Sequence, residues 1–466
     1  MKRSNVEDIN RNIYDVRNSD DYDIKLDKGV NESLVREISR IKNEPSWMLD
    51  IRLEALKVYE KLELPNWGPD LSELDLSDIS TYVKPKSLIK DNWNEVDSAI
   101  KDTFTTLGVA GESEDYLGGV TAQYDSEVVY HKLKDELEKL GIIYTDMDSA
   151  VRDYPSIVKK HFMKCVKIDN HKFSALHAAV WSGGSFVYIP KNVKVDIPIQ
   201  SYFRLNSPES GQFEHTMIIL EENASLHFIE GCSAPTYNKL NLHAGCVELY
   251  VGDNSYLKYS TIENWSRNML NLNTKKAIVN ENATMEWVTG SFGSKISMLY
   301  PFSVLEGDNS STVYTGLTFA GEGQTLDTGF KVLHKGKNTN SVIDSKSISK
   351  SGGSCLFRSM ISALDNSVSS KSSVNCESLL LDNISTSNTI PFSSTLNGSV
   401  SLSHEASVGK LSDKEIFYLM SRGFSEKDAK TMIIRGFADP IAKLLPFEYA
   451  VEMNNLINLE FEGSIG

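Results

Sequence analysis

The sequence predicts a mainly β protein: a stacked β-solenoid flanked by helical regions at both ends. Three observations carry this. From about Lys172 the chain runs for over two hundred residues in short β-branched and aromatic segments punctuated by Asn, Asp and Gly,. Within that region one turn signature recurs as "LEENAS" from Leu220, "VGDNSY" from Val251, "VNENAT" from Val279 and "LEGDNSS" from Leu305, at spacings of 31, 28 and 26 residues. Each is followed by an alternating strand pattern, without an intervening helix, which is the signature of a solenoid. A β-sandwich would place turn signals about every 8–12 residues and gives no reason for one turn to return at the longer period.

The order of elements follows from local chemistry, with domains expected over residues 1–165, 166–408 and 409–466. In the first, "NEPSWMLDIRLEALKVYEKLEL" has Pro45 at a helix start, apolar residues at helical spacing (Trp47, Ile51, Ala55, Val58, Leu62) and a stop at Pro65,. "DSEVVYHKLKDELEKLG" predicts a second helix with Ser126 as N-cap and Gly141 at its end, and a third is expected from about Asp148 to Phe162,. Residues 66–125 read as extended or loop structure. After Leu411 the pattern is helical again. "LSDKEIFYLMSRG" carries Ser412 with Glu415, "FSEKDAKTMIIRG" carries Ser425 with Asp428, and "LPFEYAVEMNNLINLEFE" supplies a third amphipathic segment,. Three short helices there would cover the end of the solenoid or dock a partner.

Composition narrows the function. With 466 residues and a net charge of −15, the chain lacks the clustered Lys and Arg that nucleic acid or an anionic membrane would demand,. Residues 1–25 have no apolar h-region, and no 18-residue apolar run exists, so a cytoplasmic location is expected,. "GSFGSK" from Gly290 lacks phosphate-loop spacing, and no hydrolase elbow or H-E-x-x-H is present, so ATP hydrolysis is expected to belong to a partner,. A carbohydrate enzyme on a β-helix would need a concentrated cleft of charge, which the sequence lacks.

The five cysteines, at 165, 232, 246, 355 and 376, form neither a disulfide framework nor a paired zinc motif,. In "SVNCESLLLD", alternation puts Cys376 on one face with Val374 and Leu380, which fits a small core hydrophobe,. About one repeat later, "SLSHEAS" brings His404 and Glu405, and rung stacking would set one of them near Cys376. Thiolate, imidazole and carboxylate are all iron ligands, so a site is the other reading. Cys232 in "IEGCSAP" reads as a turn thiol between Gly231 and Pro235, accessible to a sulfur donor or else inert,. Cys165, Cys246 and Cys355 read as structural.

Several stretches carry a resemblance: "EPSWMLDIRLEAL", "KFSALHAAVWSGGSFVYIPKNVKVDIPIQSYFRLN", "GQFEHTMIILEENASLHFIEGCSAP", "DTGFKVLHKGKNTNSVIDSKSIS", "SHEAS" and "LMSRGFSEKDAKTMIIRGF". In number and order they resemble the SufB/SufD family of iron-sulfur cluster assembly proteins over nearly the whole chain. "EGCSAP" with "NCES" and "SHEA" is similar to its SufB scaffold branch rather than to SufD. The resemblance implies a right-handed parallel β-helix that is not itself an enzyme. It implies partners: a SufC-type ATPase at the C-terminal helices, a SufD-type paralogue, a cysteine desulfurase with a SufU- or SufE-type carrier, and apo iron-sulfur acceptor proteins. The implied cofactors are a transient iron-sulfur cluster and, in the complex, a reduced flavin. Cys232 matches the family's sulfur acceptor, Cys376 its assembly cysteine and Glu405 its carboxylate ligand, with His404 beside it. Arg204, Asn206, Trp265 and Lys275 match a polar sulfur-transfer track, and Arg204 and Asn206 are expected to share a strand face. The sequence departs from the family at Ser403, where many members are acidic, at Glu263, where some have glutamine, and at Thr325 and Leu326, where relatives often carry His and Gln.

Overall fold

The computed structural model describes residue 15 and residues 22–86, 89–106, 117–445 and 447–462. Most of residues 1–25, part of the segment 66–125, and Pro446 of the last helical segment lie outside these. Two long sheets face each other. One has ten strands, running in space from Ser401–Lys410 through Lys371–Leu380, Asn340–Ser349, Ser311–Ala320, Thr284–Phe292, Tyr256–Asn264, Ser225–Ser233 and Ile199–Arg204 to Gly119–Tyr124 and Glu127–Leu133. All its pairings are parallel except the last. Each turn adds one strand to this sheet, and between them the chain crosses a thirteen-stranded sheet, first by two short strands such as Asn241–His243 and Cys246–Val251 and later by one long strand such as Thr325–His334, which is a parallel β-helix.

The recurring turn has a direct cause. Asn223, Asn254, Asn282 and Asn309 each take a left-handed backbone, with φ of 60, 57, 55 and 58°. Asparagine tolerates that region better than other residues with a Cβ. Each turn amide also donates to a carbonyl one rung on, as Asn282 N does to Asp308 O at 2.9 Å. Side chains form a ladder outside: Asn282 Nδ2 donates to Asn254 Oδ1 (3.1 Å) and Asn309 Nδ2 to Asn282 Oδ1 (3.0 Å). The same turn occurs at Asn192 and Asn338.

Between the sheets lies an apolar core that includes Phe228, Tyr259, Trp287, Phe330 and Cys376. The outer faces are covered by helices. Ser46–Lys61 and Lys172–Val180 pack over the thirteen-stranded sheet. The helices Glu426–Ala442 and Phe447–Glu462 lie over the ten-stranded one, with Ile434, Ile441 and Met453 against Ile262, Leu317 and Ile348. At roughly 1.5–3 kcal/mol for each large apolar side chain buried, these contacts hold the C-terminal helices to the solenoid's flank. They do not cap its end, the first of the two placements expected from sequence.

Four further expectations change. "SEVVYHKL" forms the strand Glu127–Leu133, and only Asp135–Glu138 is helical, because Val128, Val129 and Tyr130 gain more from pairing and burial beside Gly119–Tyr124 than from a helix face,. The third helix is two, Met147–Asp153 and Pro155–His161, since Pro155 has no N–H to continue the first and suits a new start,. The β-region expected from Lys172 opens with a helix, Lys172–Val180, whose Ala175, Ala178 and Ala179 favour helix and whose His171 and Ser174 make a reciprocal cap,. Finally, Ser98–Thr106 is helical within the segment read as loop. Among the described residues no helix is long and apolar enough to cross a membrane.

Candidate functional site

Cys232 is not in an accessible turn. It lies inside the strand Ser225–Ser233, is 1 % exposed, and points into the solenoid, because parallel pairing on both sides extends the strand past Gly231. Glu230, two residues earlier, shares its face, and the Cys232 Sγ lies 4.0 Å from Glu230 Oε1,. Lys275 Nζ enters from the opposite sheet and donates to Glu230 Oε1 (3.0 Å), Thr261 Oγ1 (3.1 Å) and Glu263 Oε1 (3.4 Å). Tyr259 OH donates to Glu230 Oε2, and Asn271 Nδ2 to Glu263 Oε2 (2.7 Å). His243 joins Asn271 to Glu214. All of these groups are buried.

A buried charge survives only when paired and hydrogen-bonded, and this cluster meets that condition. Burial opposes the Lys275 charge, but Glu230 and Glu263 outweigh it and hold the ammonium protonated. Burial likewise opposes the His243 charge, and Glu214 raises it above the ordinary imidazole range. The Cys232 thiol is pushed well up, first by burial and then by Glu230, Glu214 and Glu263, with Lys275 opposing. In this closed state Cys232 is a thiol, not a thiolate.

Cys376 sits at the other end of the same interior, 3 % exposed, on the strand Lys371–Leu380. Its Sγ lies 4.0 Å from His404 Nε2 on the last strand, Ser401–Lys410. Burial, and then the charge of Asp344, push its thiol up to about 12. Register explains which neighbour meets it. Cys376 pairs with Ala406 and Val374 with His404, so His404 shares the inward face. Glu405 pairs with Asn375 on the outer face; both His404 and Glu405 are exposed on this last strand, so register and not burial separates them. Of the two stacking partners expected from sequence, His404 is the one brought to Cys376.

The register also joins the two cysteines. One inward ladder runs Glu230, Thr261, Thr289, Gly316, Ser345, Cys376; the next runs Cys232, Glu263, Ser291, Thr318, Ser347, Ser378. Between the cysteines the inner wall is therefore Thr, Ser, Gly and Glu, over five strand steps of about 4.8 Å, or roughly 24 Å. A cavity of about 20 Å³ touches Glu263, Lys275, Ser291 and Thr318 along this lane, about the space of one water,. Outside, a cleft of about 540 Å³ lined by Trp67, Lys331 and Phe302 shares Asn273, Lys275 and Tyr300 with that cavity, so these three form the partition between them.

The other track residues divide. Trp265 packs with Cys232, Phe203 and Met269, and its ring lies 4.5 Å from that of His243. Arg204 is buried, but it stands beside Ser233, to whose Oγ its Nη1 donates (3.0 Å), on the face opposite Cys232. Asn206 lies past the end of Ile199–Arg204, so the two do not share a strand face; its amide donates to Asp125 Oδ1 (2.7 Å) and its carbonyl accepts from Tyr237 OH. Both are buried rather than solvated. Glu230, His243, Glu214 and Asn271 were not singled out from sequence, although the i, i+2 spacing of Glu230 and Cys232 already puts that pair on one face.

Two family models match this chain. The SufBD protein N-terminal region covers residues 37–201, and the SufBD core domain of SUF system FeS cluster assembly covers residues 203–437. The chain belongs to the SufBD family. Iron-sulfur cluster assembly SufBD family proteins of Staphylococcus aureus strains MRSA252 and USA300 and of Staphylococcus haemolyticus strain JCSC1435 are each 50% identical to it over 442 residues, 95% of this chain and 95% of theirs. The SufBD core match contains Cys232, Lys275, Cys376, His404 and Glu405, so the whole polar lane falls within the segment shared with the family.

Proposed function

We propose that this SufBD family chain is a SufB-type scaffold, in which sulfur received at Cys232 travels inside the solenoid to Cys376 and meets iron there. The observation that carries this reading is the unbroken run of small and polar residues along the inner wall between the two thiols, joined at one end to the Lys275, Glu230 and Glu263 cluster. Cys232 attacks the outer sulfur of a carrier's persulfide, the carrier's S–S bond breaks, and the carrier leaves as thiolate. Lys275 and Thr261 supply donors beside the path. The sulfane sulfur gains two electrons on becoming sulfide, supplied by a donor such as a reduced flavin in the complex, which is oxidised. Iron, the cargo, is held by Cys376 with His404, while the exposed Glu405 is offered at the rim. A thiolate and an imidazole, completed by ligands from outside this chain, hold iron less firmly than four thiolates, as a releasable cluster requires.

Because Cys232 is covered and protonated at rest, transfer requires an opening driven from outside, the part assigned to a SufC-type ATPase. Phe417, Tyr418, Met420 and Phe424 stand exposed on and beside the helix Asp413–Ser421 and suit its docking,. Among the described residues nothing pairs with the outer edges of the last strands, Thr386–Thr395 and Ser401–Lys410, where Ile390, Phe392 and Val408 are exposed, which suits strand pairing with a SufD-type paralogue,. Five free cysteines suit the reducing cytoplasm,. A second reading, a SufD-like adaptor with inert thiols, is favoured by the burial of all five cysteines.

The test is anaerobic assembly with the ATPase, the paralogue and a persulfide carrier, measuring iron and acid-labile sulfide. Loading is expected in wild type, lost in Cys376→Ala and lowered in His404→Ala. Cys232→Ala should lose loading from the carrier yet keep loading from inorganic sulfide. Undiminished loading in both cysteine variants, with the complex intact, would give the adaptor reading.

A further inference from the structure

Away from the lane, on the outer face of the thirteen-stranded sheet, three metal-ligating side chains converge beneath the helix Lys172–Val180. His177 projects from that helix, and His215 and Cys246 are register partners at the starts of neighbouring parallel strands. All three are buried, and their donor atoms lie within 4.8 Å of one another. The hydrogen-bond accounting is unusual. His177 Nδ1 lies 3.0 Å from the Ala244 carbonyl, which can only accept, so Nδ1 carries the proton and Nε2 of the neutral ring presents a lone pair,. That lone pair faces His215 Nδ1 at 3.0 Å. His215 Nε2 lies 3.2 Å from Glu248 Oε2 yet makes no hydrogen bond in the structure. Either His215 Nδ1–H donates to that lone pair, leaving His215 Nε2 as a buried nitrogen without a hydrogen bond, or a cation sits between the two rings,.

We propose that His177, His215 and Cys246 form a structural site for a zinc-like divalent ion, separate from the iron cargo. Two imidazoles and a thiolate are a borderline-soft donor set of the kind zinc takes. In a tetrahedral site with metal–nitrogen bonds of about 2.0–2.1 Å the two nitrogens stand about 3.3–3.4 Å apart, close to the spacing already present. The Ala244 carbonyl supports His177 from behind, and Glu248 flanks His215, as outer-shell groups do at metal-bound histidines,. Binding replaces the Cys246 thiol proton with the ion, releasing one proton per ion bound. Glu248 also accepts the amides of Met163, Cys165 and Val166, so the ion would fasten the helical N-terminal part to the solenoid through one cluster.

Because the donors are covered, the ion enters during folding, and the probe is cobalt(II) supplied during production of the full chain in zinc-depleted medium. The Cys376→Ser background removes the candidate cargo site. Expected there is bound cobalt with thiolate-to-cobalt charge transfer and tetrahedral visible bands, both lost on adding Cys246→Ser. If that double variant does not fold, X-ray absorption on the folded Cys376→Ser protein reads the ligands directly, and two imidazoles with one sulfur support the site. A folded Cys376→Ser chain free of cobalt, cobalt without sulfur ligation, or bands that vanish with Cys232→Ser instead would overturn the proposal and leave a proton-sharing histidine pair.

Discussion

Replacing Lys275 by Met tests the charged interior directly. The ammonium is 4 % exposed and bridges two carboxylates, Glu230 at 3.0 Å and Glu263 at 3.4 Å, themselves buried. Methionine keeps most of the volume but leaves both carboxylates without their cation. Removing one partner of a buried pair costs about 3–5 kcal/mol, a large share of the ~5–15 kcal/mol that holds a domain folded. Urea unfolding at pH 7.5 followed by far-ultraviolet circular dichroism should show that loss. Glu230→Gln in the same background should recover part of it, because one orphaned carboxylate is gone. A Lys275→Met protein within about 1 kcal/mol of wild type would refute the ion-paired cluster and, with it, the description of the lane near Cys232.

Acid should destabilise the fold. Burial holds His131, His171, His227 and His334 at about 4, so between about pH 4 and 6.5 the unfolded chain binds more protons and stability falls as pH falls, by at most ~3 kcal/mol per ring,. Asp125, raised to about 6 by burial, acts in the opposite sense between about pH 4 and 6 and offsets only part of this,. A thermal midpoint unchanged from pH 7 to 4.5 would contradict that balance. At the turn ladder, Asn282→Ala loses two side-chain contacts and puts a Cβ without compensation at φ 55°, an expected cost of ~1–2 kcal/mol that Asn282→Gly should partly recover,. Equal stability of the Ala variant and wild type in chemical denaturation would count against the ladder. Phe417→Asp, at a side chain 73 % exposed, should weaken ATPase co-purification while leaving the unfolding midpoint unchanged; undiminished co-purification would move the docking surface elsewhere,.

Much of the candidate site was legible because it lies within single strands. Cys376 beside apolar neighbours, and His404 about one repeat later, could be read from alternation and period. Whether His404 or Glu405 turns inward could not, because the answer depends on a register in which Cys376 pairs with Ala406, and a slip of one residue would exchange the two faces,. Cys232 was misread as accessible because Gly231 and Pro235 signal a turn locally, whereas the flanking strands carry the pairing through Ser233. The His177, His215 and Cys246 cluster left no spacing signal, since helix packing over a sheet brings its members together.

The sequence by itself determined the solenoid, its flanking helices and the turn that repeats, because asparagine's tolerance of a left-handed backbone and the two-residue alternation of strands are local properties. Tertiary structure alone decided that "VVYHKL" is a strand and "KFSALHAAV" a helix, that the C-terminal helices lie along the flank, and that Lys275 reaches Glu230 across the interior. Those outcomes depend on what each segment is buried against. Burial energy and the pairing of charges in a low-dielectric interior are set by neighbours distant in sequence, which no local pattern records.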